Sequence, residues 1–210
     1  MVSSARPRST GAPVDTDYTY ESLADDLLAL LDHLDAPGAV DALGSSMGCA
    51  TVLHAAVREP VRFSALVLLI PPTAWTTRQA HAQANRSAAE TIERQGVGAW
   101  LAEKAASRRP AAVAGVPEFP PTPKAEVLPA ILRGLALSDL PAPASLAALR
   151  LPVLILAWEG DPGHPLSTAR TLARSLPAAE LHVSRTRAGL TAWGERAAAF
   201  LTARGRPRAV

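Results

Sequence analysis

The chain has one cysteine, Cys49, in 210 residues. A lone thiol excludes an intrachain disulfide framework and a multi-cysteine metal site, and it suits a reducing compartment such as the cytoplasm. No His/Asp/Glu cluster has metal-ligand spacing, and no glycine run of the phosphate-cradling kind is present. Neither a metal nor an organic cofactor is therefore expected. Long apolar runs are also missing. The longest, residues 65–70, has the length of a strand and falls far short of the roughly 20 residues of a membrane span. Residues 1–17 lack the apolar core of a secretory signal. Charge of one sign is scarce too: 21 basic against 19 acidic residues leave a formal net charge of +2. That surplus leaves no electrostatic footprint for nucleic acid. Membrane, nucleic-acid and metal-dependent roles recede together.

What is present points to a packed domain. Hydrophobic residues make up 48% of the chain, and its length allows one domain with a substantial core and a small insertion. Thr19 is placed to cap a helix in which Leu23, Leu27, Leu30, Leu31 and Leu34 repeat at helical spacing, and Pro37-Gly38 stops it. Residues 39–43 are short and apolar, as in a buried strand. A helix pattern over 47–59 ends at Pro60. Another buried strand, 63–70, is closed by Pro71-Pro72. Residues 73–149 differ. They hold helical stretches near 80–107 and 124–137, interrupted by Pro110, Pro117, Pro120, Pro121 and Pro123. After Pro152 come a strand over 153–158, a turn at Asp161-Pro162-Gly163, a helix over 166–176, a short strand over 180–184 and a final helix over 191–203. Strands alternating with helices predict an α/β fold with a mostly parallel sheet covered by helices.

The chemistry is concentrated at Gly44-Ser45-Ser46-Met47-Gly48. The pattern Gly-x-Ser-x-Gly between a strand and a helix is that of a nucleophile elbow, a sharp turn that lifts a serine to the strand tip. The glycines leave room where the turn packs too tightly for side chains. A serine hydroxyl attacks only if a base removes its proton. Ser46 is the candidate nucleophile, and the backbone N–H of Met47, at the helix start, is a candidate oxyanion donor. The alternative is a Gly/Ser-rich strand-to-helix loop with no chemistry. Cys49 reads as a small helix residue rather than a nucleophile, since no charged neighbour in sequence activates it.

A carboxylate at the C-terminal end of the 153–158 strand stands on the ligand side of a parallel sheet. Asp161 is so placed and could orient an imidazole; it could equally be a turn-forming Asp before Pro162.

The runs YTYESLADDLLALLDHL, VDALGSSMGCATVLHAAVREPVRFSALVLLIPPTAW and LPVLILAWEGDPGHPLSTARTLARSLPAAELHV resemble the alpha/beta-hydrolase superfamily over about residues 6–75 and 148–203. The resemblance implies a nucleophile at Ser46, an oxyanion donor at Met47 and a triad acid at Asp161. It divides the chain into a first part of the hydrolase core with the elbow (1–74), a helical lid (75–148) and the rest of the core (149–210). Trp75, Trp100 and Phe119 then become candidates to line a pocket or to pack the lid.

Two departures stand out. The family's histidine normally follows the last strand in a Gly-x-Gly-His-like loop. Here 181–190 carries His182 within the strand pattern and no histidine after it. His164, three residues past Asp161, is the candidate substitute base, while His33, His54 and His81 sit on helix patterns. The second departure is at the front. The family's first strands and its His-Gly-type loop are missing, and residues 6–11 look like the tail of a later loop. A sheet of about four strands would expose an edge and favour self-association. The expected function is a serine hydrolase for small ester or related acyl substrates. A catalytically silent binding relative, or an inactive fragment, is the alternative. The family also hosts haloperoxidase, dehalogenase and carbon–carbon hydrolase activities, so the resemblance does not select a substrate.

Overall fold

The computed structural model describes residues 12–106, 124–161 and 163–203. The proline breaks at 110–123, Phe119, Pro162 and the loop at residues 6–11 lie outside the described residues. Contacts divide the chain into two compact units, one of residues 35–72 and 141–210, the other of residues 1–34 and 73–140.

The first of these units carries the sheet. Its strands are β1 (Val40–Ser45), β2 (Phe63–Leu69), β3 (Val153–Trp158) and β4 (Ala179–Ser184). They lie in the order β1-β2-β3-β4, and every pair is parallel. The helices are α2 (Met47–Arg58), α6 (Pro143–Leu146), α7 (Leu166–Ser175), α8 (Arg187–Thr191) and α9 (Trp193–Thr202). Side chains alternate across a sheet. On one face Ala65, Val67, Leu154 and Leu156 pack against Ala197 and Phe200 of α9. On the other face Leu66, Leu68, Val153 and Ile155 are fully buried, and α2 and α7 pack on the strands. Both-face burial explains why β3 is apolar throughout, with all six residues buried. Truncating a side chain such as Ile155 to alanine would cost about 2–5 kcal/mol.

β1 departs from its expected burial. Asp41, Leu43 and Ser45 are exposed, and Leu43 keeps 55% of its surface. The reason is position: among the described residues β1 pairs with β2 and forms the sheet edge. The other strands fall close to their expected bounds.

The second unit is helical: α1 (Tyr20–His33), α3 (Arg78–Gln95), α4 (Val97–Ala106) and α5 (Leu128–Leu137). Thr19 caps α1, accepting a hydrogen bond from Ser22 N–H at 3.2 Å. The helical stretch expected as one over 80–107 is two, because Gly96 at φ +85° breaks it. Ala89, Ile92, Leu128 and Leu132 form the contact between α3 and α5. Arg78, 6% exposed, donates to the carbonyls of Ser138 and Leu135 at the end of α5 and lies 5.2 Å over the Tyr20 ring. A cationic donor at a helix C-terminus complements the negative end of its dipole. Among the described residues no helix is long and apolar enough to cross a membrane.

Candidate active site

Ser46 joins β1 to α2 with φ 52° and ψ −115°. Few non-glycine residues adopt such a conformation, which costs of order 1–3 kcal/mol and persists where the surroundings impose it. Here they do. Ser46 N–H donates to the Leu69 carbonyl at 2.9 Å, and the Ser46 carbonyl accepts from Cys49 N–H at 2.9 Å. A Cβ on Gly44 would strike the Gly48 carbonyl and come within 2.8 Å of Cys49 N, so the strand can pass this close to α2 only as glycine. Cys49 is fully buried. Its thiol lies 3.2 Å from the Gly44 carbonyl and 3.1 Å from that of Leu69, tying the elbow to the end of β2. Burial pushes the thiol far up from its ordinary value, against the pull of nearby backbone groups. A thiol held protonated is no nucleophile.

The loop after β3 supplies the other two groups. His164 Nε2 lies 2.8 Å from Ser46 Oγ, and His164 Nδ1 lies 2.8 Å from Asp161 Oδ2. The Asp161 carboxylate also accepts from Gly163 N–H through Oδ1 and from the Trp158 indole N–H through Oδ2, each at 2.9 Å. The first of these bonds closes an Asx-type turn, and His164 N–H donates to the Asp161 carbonyl at 3.3 Å. Burial would raise the Asp161 carboxyl. The hydrogen bond and charge of His164, with the Trp158 and Gly163 donors, outweigh it and hold the group below its ordinary 3.8. The Asp161 carboxylate therefore stays ionised across the neutral range.

Met47 is the first residue of α2, where first-turn N–H groups have no carbonyl partner within the helix. Its N–H stands beside Ser46 at the positive end of the helix dipole. His182 is elsewhere, within β4 in register with Leu156. Burial and the Arg196 charge lower its proton affinity. The place after β4 where the family's histidine normally falls holds α8 instead. Thr186 caps that helix by accepting from Gly189 N–H, and the Trp193 indole donates to Ser184 Oγ at 2.8 Å. The site thus has an imidazole, although not in the usual place. Trp100 packs beside Ile92, Leu128 and Leu132, and Trp75 N–H donates to the Asp139 carboxylate at 2.9 Å. Trp158 and Gly163 were not among the residues expected from sequence. The one signal was a tryptophan, with its polar N–H, closing an otherwise aliphatic strand beside Glu159-Gly160-Asp161.

A sequence profile of the alpha/beta hydrolase fold matches residues 3–186. The chain belongs to that family. Among solved structures it is similar to a thermophilic esterase from Thermogutta terrifontis, at 25% identity and a TM-score of 0.66, over 89% of this chain and 71% of that one. It is also similar to MenH from S. aureus, at 16% identity and a TM-score of 0.76, over 95% and 80%. A third likeness is to a carboxylesterase structure from the thaumarchaeon Nitrososphaera gargenis, at 18% identity and a TM-score of 0.74, over 97% and 78%. No curated protein matches the chain.

Proposed function

We propose that this chain is a serine hydrolase for small ester or related acyl substrates, with Ser46 as nucleophile, His164 as general base and Asp161 as its orienting acid. The observation that carries the reading is the unbroken chain of contacts from Ser46 Oγ through the His164 ring to Asp161, at 2.8 Å per step. The likeness to an esterase at 25% identity supports it.

In this reading Ser46 Oγ attacks the acyl carbon while its proton passes to His164 Nε2. Asp161 keeps Nδ1 protonated and stabilises the imidazolium that forms. The oxyanion of the tetrahedral intermediate accepts from Met47 N–H, a fixed donor that costs no reorganisation during reaction. Collapse expels the alcohol, which takes the proton from His164. Water, activated by the same imidazole, then releases the acid and restores Ser46. The steps above call on no metal or organic cofactor, and a single thiol favours a reducing, cytoplasmic setting.

A fluorophosphonate probe tests the proposal directly. Prompt labelling of the folded chain that disappears in both Ser46→Ala and His164→Ala is the expected result. A folded chain that stays unlabelled would instead be a binding protein.

A further inference from the structure

The bonds that shape the acid–base loop are mostly internal to it. Gly163 N–H and His164 N–H both fold back on Asp161, so they set the form of the turn without fixing it to the sheet. Of the bonds to the Asp161 carboxylate, one comes from the sheet: the indole N–H of Trp158 reaches Oδ2 at 2.9 Å. Trp158 is the last residue of β3, in register with Ser184 of β4, and it is 5% exposed. β3 pairs with β2 over residues 153–156 and with β4 along its whole length, and all six of its residues are buried. A buried indole N–H needs a partner, and here the partner is the oxygen that also faces His164 Nδ1.

We infer that Trp158 is a positioning residue for the reaction proposed above: its N–H pins Asp161 Oδ2 to the end of β3, and through that oxygen it sets the angle of the His164 ring toward Ser46. The inference rests on the hydrolase reading for its kinetic consequence, but the tie itself does not.

The geometry gives the reason. A carboxylate free to rotate about its last torsion would offer Nδ1 either oxygen over a range of angles, since that torsion is soft. Two donors on Oδ2 and one on Oδ1 leave a single orientation. The ring of His164 must then present Nε2 in one direction, the direction in which Ser46 Oγ stands 2.8 Å away. Catalytic constellations lose much of their rate when such alignment slackens by fractions of an ångström. An aliphatic residue at 158 would remove the one donor that ties the Asp161 carboxylate to the sheet and leave it held by Gly163 and His164 of its own turn.

The test compares the full-length chain with Trp158→Phe, which keeps an aromatic ring in the core and removes the donor. Hydrolysis of p-nitrophenyl acetate gives kcat and KM, and proton NMR follows the downfield signal of the His164 Nδ1–H that bonds Asp161. The expected result is a kcat lower by about 10- to 100-fold, the range for a hydrogen bond to a charged group. KM stays within about twofold because binding is untouched, and the Nδ1–H signal moves. An unmoved signal with unchanged kcat overturns the inference. So does a loss in which kcat and KM change together with a lowered melting temperature, the pattern of a packing role. If the wild-type chain neither turns over the ester nor takes the probe, the hydrolase reading fails on its own; the proton comparison still decides the tie, because it needs no turnover. If Trp158→Phe does not fold, the indole N–H signal of Trp158 is compared between the wild type and Asp161→Ala. Movement supports the tie, and an unchanged signal refutes it.

Discussion

His164 meets Ser46 at 2.8 Å across 118 residues of chain, while Asp161, whose carboxylate meets the other ring nitrogen at 2.8 Å, lies three residues away. In the proposed reaction, acid and base thus arrive together, on one segment, at the strand tip that presents Ser46.

The first consequence concerns which histidine matters. Ser46→Ala and His164→Ala should each lower ester turnover by on the order of 10⁴-fold or more, and the double variant should fall no further, because groups acting as a unit are not additive. His182→Ala, altered within β4, should stay within a few-fold of wild type. A larger loss from His182 than from His164 in steady-state assays would contradict the arrangement.

Asp161 links activity to acid stability. Burial raises its carboxyl, but the His164, Trp158 and Gly163 donors hold it below 3.8. A depressed folded value means the ionised form stabilises the native chain above the unfolded value, and that contribution drains away as pH falls through the folded one. Asp161→Asn should lower turnover by about 10³- to 10⁴-fold. It should also melt below wild type at neutral pH, with the gap closing in acid below pH 3.8. Melting curves at a series of pH values decide this; a gap undiminished at the lowest pH would show that the carboxylate's charge is not the cause.

Glycine at 44 is a steric requirement. Gly44→Ala must displace the Gly48 carbonyl, so it should cost about 1–3 kcal/mol or more and abolish labelling of Ser46. Gly98→Ala, in α4 with open space at the added carbon, should be neutral or stabilising by about 0.5–1 kcal/mol. Chemical denaturation of the two variants compares them.

Cys49 should resist thiol reagents. It is buried and held protonated, so a disulfide reagent at mildly alkaline pH should modify it only after denaturant is added. Iodoacetamide treatment of the folded chain should leave fluorophosphonate labelling intact. Rapid modification in the native state would place the thiol somewhere other than beneath the elbow.

Leu43 gives a prediction about association. It is 55% exposed on an edge strand, a setting that invites pairing with another chain. Leu43→Lys should leave the melting temperature within about 2 °C, as surface changes usually do, while reducing any concentration-dependent assembly seen by light scattering.

Sequence showed the parts whose causes are local. The elbow was legible because its glycines and its strand and helix neighbours are contiguous, and β3 because an unbroken apolar run needs burial on both faces. Other features arise from distance. His164 could be placed three residues past Asp161 on the right rim, but its contact with Ser46 depends on how the β3 loop approaches β1. The exposure of Leu43 comes from strand order, which an apolar run does not encode. The final helix was expected from residue 191, yet Thr186 caps a turn at Arg187–Thr191 before α9 begins. Trp158 was hidden for a simpler reason: as part of an apolar strand it looks like filling, and the use of its one polar atom is visible only in three dimensions.

Placing the proposed acid and base three residues apart changes what can go out of adjustment. Where acid and base belong to separate loops, two gaps vary independently whenever the scaffold breathes. Here Asp161 and His164 are bonded to each other within one loop, so the remaining contact to hold is that from the imidazole to the serine. In the proposed reaction, a shift of the end of β3 against the tip of β1 would lengthen the His164–Ser46 contact while leaving the Asp161–His164 contact in place.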